Sequence, residues 1–144
     1  MWYCDASAWV KRYVQELGSG TVHSLFERRE RMGSSTLGYV EVVADLYRRV
    51  SPNSLAVLEP RLTADWQGMA HLPLTDGVIT QAADLSLQYK LRAADAVHLA
   101  TALDLQDMLA AINESVVFMA SDRELLSAAR EAGLTASNPA VVEL

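Results

Sequence analysis

Val116 to Ala132, VVFMASDRELLSAAREA, holds the junction that decides the fold. Val116 to Ala120 is an apolar, β-rich run of the length of a buried parallel strand, and it ends at Ser121 and Asp122. A helix from Arg123 to Ala132 follows, with Gly133 as its C-cap, and Leu134 to Ser137 adds a terminal strand before Pro139. The head of the chain repeats this design. Met1 to Cys4 is apolar and aromatic and runs into Asp5, after which Ser7 is the expected N-cap of a helix through Ala8, Trp9, Val10, Tyr13 and Val14, with Lys11, Arg12 and Gln15 outward.

The middle of the chain alternates in the same way. Thr21 to Glu30 reads as a helix with Val22, Leu25 and Phe26 inward, and the ERRER run at Glu27 to Arg31 reads as a solvated face. Met32 to Ser35 is a second short strand. Leu37 to Val50 follows as a helix whose expected core face is Val40, Val43, Tyr47 and Val50, and Pro52 ends it. Glu41 and Asp45 stand at i and i+4 and repel each other; Arg48 and Arg49 neutralise Asp45, which leaves Glu41 the freer carboxylate. Ser54 is the expected cap of a helix to about Met69, with Leu55, Leu58, Leu62 and Trp66 as its apolar positions. His71 to Pro73 is a link or very short strand, and Thr75 caps a segment striped by Val78, Ile79, Ala82, Leu85 and Tyr89.

LRAADAVHLATAL, Leu91 to Leu103, is an alanine-rich helix with Ala96, Leu99, Ala100 and Leu103 on one face and Asp95 in its first turn. A carboxylate at the edge of an apolar helix face is costly to desolvate unless a cation, a helix N-terminus or a donor meets it. His98 reads as a packed, hydrogen-bonded histidine rather than a ligand, and Asp104 and Asp107 read as solvent-facing.

Short strands alternating with longer helices predict an α/β fold, a sandwich around a mostly parallel sheet, and 144 residues at 51% hydrophobic content predict one domain over 1–144. Cys4, the single cysteine, is expected to be a buried thiol suited to a reducing cytoplasm. No leader pattern and no apolar run of about 18 residues is present, so a soluble, cytoplasmic protein without membrane attachment is expected. The formal net charge of -6 argues against broad nonspecific nucleic-acid affinity; any such role must use local patches drawn from Lys11, Arg12, Arg28, Arg29, Arg31, Arg48, Arg49, Lys90 and Arg92.

Sites in parallel sheets collect beyond the C-terminal ends of the strands, where Asp5 and Asp122 stand, and the helices carrying Glu41 and Asp95 can add two more acids to the same crevice. Singly, each acid has a plain structural role as a cap, first-turn acid or solvated charge. Jointly they repel strongly unless their pKa values rise or a cation joins them, and a hard ion such as Mg²⁺ or Mn²⁺ takes oxygen ligands and suits a phosphodiester substrate.

The blocks YCDASAWVKRYVQELGS, GYVEVVADLYRR, LRAADAVHLATAL and FMASDRELLSAAREAGL, in this order, resemble the PIN-domain family and its VapC-type toxins over nearly the whole chain. The resemblance implies a PIN-like α/β/α sandwich and a Mg²⁺- or Mn²⁺-dependent endoribonuclease that cleaves RNA as the toxin of a toxin–antitoxin pair. It further implies a homodimer and an antitoxin that occupies the acidic groove. Carried over by position, the catalytic and metal-holding acids are Asp5, Glu41, Asp95 and Asp122, with Ser7 and Ser121 in support. Tyr47, Leu58 and Trp66 are candidates for the dimer interface or for the core. A competing reading is a non-catalytic PIN-like interaction module with an acidic partner-binding groove. A third, a phosphate-handling domain with Asp5 as nucleophile, is weakened because Ala-Ser-Ala follows Asp5 instead of a second aspartate two residues on.

Overall fold

In the computed structural model, which describes residues 1–141, five strands form one parallel sheet in the order β3-β2-β1-β4-β5. They are β1 (Trp2–Cys4), β2 (Met32–Ser35), β3 (Ala70–Leu72), β4 (Val117–Met119) and β5 (Thr135–Ser137), and seven helices connect them: α1 (Ala6–Trp9), α2 (Ser19–Glu27), α3 (Thr36–Arg49), α4 (Pro52–Gln67), α5 (Asp76–Tyr89), α6 (Ala93–Ala110) and α7 (Arg123–Glu131). The expected sandwich is therefore present, with the sheet wholly parallel.

Strand alternation sends neighbouring residues into two cores, one on each face of the sheet. Tyr3 and Phe118 stack with ring centroids 5.4 Å apart and pack with α5, α6 and α7; Cys4 and Met119 point the other way, into a core shared with Trp9, Val22, Val42, Leu46 and Leu62. Both faces are thus covered, as an all-parallel sheet requires. Burial pushes the Cys4 thiol up to about 12, so it remains a protonated, packed side chain.

Several local expectations are corrected. Asp5, not Ser7, caps α1, because its Oδ1 accepts the Ala8 N–H at 3.0 Å. The helix is short, giving way to a 3-10 turn at Val10–Arg12, and that turn draws Lys11 inward, where its ammonium meets Glu16 at 3.5 Å. Ser51, not Ser54, caps α4, and Pro52 starts that helix at N1, where its missing N–H costs nothing. On α3 the buried residues are Gly38, Val42 and Leu46, while Val40, Val43 and Tyr47 face solvent. The cause lies in Gly38: a Cβ there would stand 2.5 Å from Ser34 Oγ and 3.1 Å from His98 Cε1. Only a residue without a side chain lets α3 approach β2 and α6 this closely, and the approach fixes which face turns inward.

Thr75 caps α5 as expected, α6 continues to Ala110, and Asp104 and Asp107 are exposed on it. Among the described residues no helix is long and apolar enough to cross a membrane.

Candidate active site

The strand order makes β1 central: the chain runs outward from it through β2 to β3, then crosses to β4 on its other side, so the crevice opens at the C-terminal ends of β2, β1 and β4. Asp5 follows β1 directly, Ser121 and Asp122 follow β4, and Glu41 rides α3, which Ser35 at the end of β2 caps by accepting the Leu37 N–H at 3.1 Å. Asp95 lies in the first turn of α6.

Asp5 is 4% exposed, and its two hydrogen bonds, from Ser7 Oγ at 2.7 Å and from Ala8 N–H, both land on Oδ1. Ser7 Oγ in turn accepts the Ser121 N–H at 3.1 Å, which ties the end of β4 to the end of β1. Asp122 is exposed; its Oδ1 caps α7 by accepting the Leu125 N–H at 2.8 Å. The expected acids and both supporting serines are accordingly grouped at one end of the sheet.

Burial raises the Asp5 carboxyl above its ordinary value, with nearby His98, the Ser7 hydroxyl and the Ala8 N–H pulling it back and the charge on Asp95 adding to the rise. Asp95 is raised by desolvation first, then by Asp122 and to a smaller extent by Glu41, with His98 and Arg92 opposing. These acids therefore feel one another through a poorly solvated space.

Glu41 is not free, as the sequence suggested. Its Oε1 lies 2.6 Å from His98 Nε2. The expected local pairing beside it is present: Arg49 meets Asp45 at 3.0 Å and Arg48 meets it at 3.8 Å. His98 is packed and hydrogen-bonded, as expected, but the partner is a site acid 57 residues away. No local signal in the sequence reports that pairing.

An open groove of about 620 Å³ runs past Ser7, Glu41 and Ser121 and along α3 to Arg48 and Arg49. Of the four expected site acids only Glu41 lines it, with Glu16 and Asp45 further along. Arg48 and Arg49 form the basic edge of this groove, where Arg49 also meets Glu16 at 3.1 Å; away from it Arg12 pairs with Asp65 at 3.1 Å and Arg31 with Glu114 at 2.7 Å.

Two observations bear on a divalent ion. The donors are hard oxygens whose charges repel, and Ser121 Oγ is buried with no hydrogen-bond partner among the described residues. Among those residues no group of three or more His, Cys, Asp or Glu side chains is arranged to hold a metal by itself. The two fit an ion such as Mg²⁺, which is usually held through one or two carboxylates and keeps several waters, better than one caged by protein alone.

Residues 2–131 match the family model described as PIN domain. Ribonuclease VapC49 of Mycobacterium tuberculosis is 35% identical over 136 residues, covering 91% of this chain and 90% of that protein. Ribonuclease VapC47 from the same species is 32% identical over 146 residues, covering 99% of each. Among solved structures, a toxin–antitoxin complex from Klebsiella pneumoniae superimposes with a TM-score of 0.68 at 14% identity, covering 96% of this chain and 98% of that one, a likeness of fold.

Proposed function

The chain belongs to the PIN-domain family, in its VapC-type branch, and from that premise we propose that it is a Mg²⁺- or Mn²⁺-dependent endoribonuclease, the cytoplasmic toxin of a toxin–antitoxin pair. The observation that carries the reading is the grouping of Asp5, Glu41, Asp95 and Asp122 at the C-terminal ends of β1, β2 and β4, with Asp5 and Asp95 raised by burial and by their neighbours' charge. Asp5, Asp95 and Glu41 would hold the cation partly through its waters, and Asp122 would act at the edge of the site. When bound, the ion offsets charge on the phosphodiester and makes water a better nucleophile.

The chain's own groups then have distinct tasks. Ser7 and the Ala8 N–H occupy Oδ1 of Asp5 and hold its carboxylate in one orientation, leaving Oδ2 for the pocket. Ser121 Oγ, buried and unpaired among the described residues, is available to a water or a phosphate oxygen. Arg48, with a side chain 74% exposed, supplies phosphate contact along the groove, which is how a chain of net charge -6 engages RNA locally. Hydrolysis forms a P–O bond to the attacking water and breaks the P–O bond to the leaving oxygen, with the water's proton leaving through the acidic site and the departing oxygen taking up a proton.

The exposed stripe Val40, Val43 and Tyr47 lies beside this groove on α3 and suits an apolar partner surface. We assign it to the antitoxin, a segment of which would enter the groove, and we assign a homodimer to the free toxin. The structural neighbour described as a toxin–antitoxin complex supports the partner class.

The test is cleavage of total cellular RNA by purified, partner-free protein with Mg²⁺ or Mn²⁺, against EDTA and against Asp5→Asn and Asp95→Asn proteins, with new ends mapped by sequencing. Discrete ends that require the ion and both aspartates are expected. Folded protein that binds a partner tightly yet produces no ends would replace the nuclease by the interaction-module reading.

A further inference from the structure

Beneath Glu41 a short relay leads into the core. His98 is 1% exposed and Tyr3 is fully buried. Tyr3 Oη lies 2.7 Å from His98 Nδ1, and the opposite ring nitrogen, Nε2, lies 2.6 Å from Glu41 Oε1. The Ser35 N–H donates to Tyr3 Oη at 3.3 Å, so the far end of the relay is anchored on β2. The two rings meet edge to face, 5.8 Å apart at 73°.

Hydrogen positions follow from the partners. A carboxylate accepts only, so Nε2 carries the hydrogen that points at Glu41. Nδ1 of the neutral ring then has a lone pair, which receives the Tyr3 hydroxyl hydrogen, while Tyr3 Oη accepts from Ser35. One tautomer satisfies every member of the chain. Steric closure adds to this. Gly38 stands one turn before Glu41 on the same helix, and a Cβ on it would be 3.1 Å from His98 Cε1, so the ring is held between α3 and the sheet.

We propose that His98 is a positioning residue for Glu41: its Nε2–H engages Oε1 of the carboxylate and orients the other oxygen toward the site, and Tyr3 fixes the imidazole that does so. The proposal rests on the assignment of Glu41 as a holder of the divalent ion. It does not make His98 a ligand or a base. The arrangement is that of an outer hydrogen-bond partner that orients a metal-holding carboxylate, whose loss typically costs 10- to 100-fold in metal affinity or activity.

The experiment is Mn²⁺ binding by calorimetry to the purified full chain, with thermal unfolding run on every variant. His98→Leu is expected to weaken Mn²⁺ binding by roughly 10- to 100-fold. His98→Gln, whose amide can still donate toward Glu41, should recover most of that loss, a rescue that a purely space-filling role would not produce. Tyr3→Phe keeps the ring but frees its tautomer, and should weaken binding less than His98→Leu. In a Glu41→Gln background the His98→Leu change should have no further effect, because the carboxylate it orients is gone.

Wild-type affinity in His98→Leu, or a loss of equal size in the Glu41→Gln background, overturns the proposal. If His98→Leu fails to fold, Tyr3→Phe decides: unchanged Mn²⁺ affinity in that variant overturns it. Should Glu41→Gln bind Mn²⁺ normally while Asp5→Asn does not, Glu41 is no holder of the ion, and this proposal falls while the rest of the site stands. Loss of Mn²⁺ binding in neither variant overturns the metal site itself.

Discussion

Gly38→Ala is the substitution whose sign separates local from tertiary forces in this fold. Within a helix, replacing glycine by alanine ordinarily stabilises by about 1 kcal/mol. Here the new methyl would sit 2.5 Å from Ser34 Oγ, against 3.4 Å or more for ordinary contact. Ser34 is fully buried and donates to the Cys4 carbonyl at 2.7 Å, so turning its hydroxyl away breaks a buried hydrogen bond, at about 1–3 kcal/mol. Moving α3 outward instead loosens a close-packed contact, also about 1–3 kcal/mol. Either route outweighs the helical gain. A net loss of up to about 2 kcal/mol is expected, or a fall in Tm of up to roughly 8 °C for a chain of this size. Thermal unfolding measured by circular dichroism is the assay. Gly20→Ala is the control, since it also lies in a helix but a Cβ there meets nothing within 4 Å, and it should raise Tm slightly. A Gly38→Ala protein as stable as wild type or more so would refute the claim that α3 is seated on Ser34 and His98. The same variant should also weaken Mn²⁺ binding, because Glu41 is carried on the displaced helix.

Asp122→Ser retains an N-cap acceptor for α7 while removing the charge, so Tm should change little while metal-dependent RNA cleavage falls at least tenfold, measured on the same preparation. The raised carboxyls of Asp5 and Asp95 set a pH dependence opposite in sign to that of a salt-bridged aspartate: the folded metal-free protein binds these protons more tightly than the unfolded chain does. Their destabilising effect is therefore fully present above the folded values and fades as pH falls through them toward the unfolded values. In EDTA, Asp95→Asn should then be more stable than wild type at neutral pH, with the difference shrinking on acidification; a constant difference in Tm from neutral pH to pH 4 would count against mutual repulsion at the site. Adding Mn²⁺ should raise the wild-type Tm and leave Asp95→Asn nearly unmoved. Arg12 and Asp65 form a largely buried pair joined by the Tyr13 hydroxyl at 2.8 Å, so Arg12→Met should cost about 3 kcal/mol in urea unfolding and adding Asp65→Leu should restore part of it.

β1 and β4 and the acids after them are legible in the sequence because both apolar runs stop at a charged or hydroxyl residue, a pattern that survives without tertiary information; β3, which runs into Pro73, carries no such signal. The face of α3 was not. Two stripes compete on that helix, Val40-Val43-Tyr47 and Gly38-Val42-Leu46, and hydropathy favours the first. Tertiary approach favours the second, since glycine contributes no apolar area to a periodicity count yet permits the closest contact. Lys11 was misplaced for a related reason: a 3-10 turn rotates successive side chains differently from an α-helix, and one such turn sufficed to bring its stem inward.

Glu41 and His98 show a deeper limit. The sequence predicts Glu41 as a site acid and His98 as a packed, hydrogen-bonded ring; the structure shows that ring so packed, and neither expectation contains the bond between the two. That bond exists because α3, which follows β2 directly, and α6 meet beyond the end of β2, with Gly38 removing the side chain that would otherwise separate them. The same geometry sets repelling acids together at the mouth of the sheet, a local loss of stability that the two flanking cores offset. A substitution that neutralises one of these acids should therefore stabilise the metal-free fold while removing activity. Residues such as Ser34 and Gly38, which shape the approach of α3, should when changed lose stability and metal affinity together, so that the two measurements made on one panel of variants sort site residues from the scaffold that aims them.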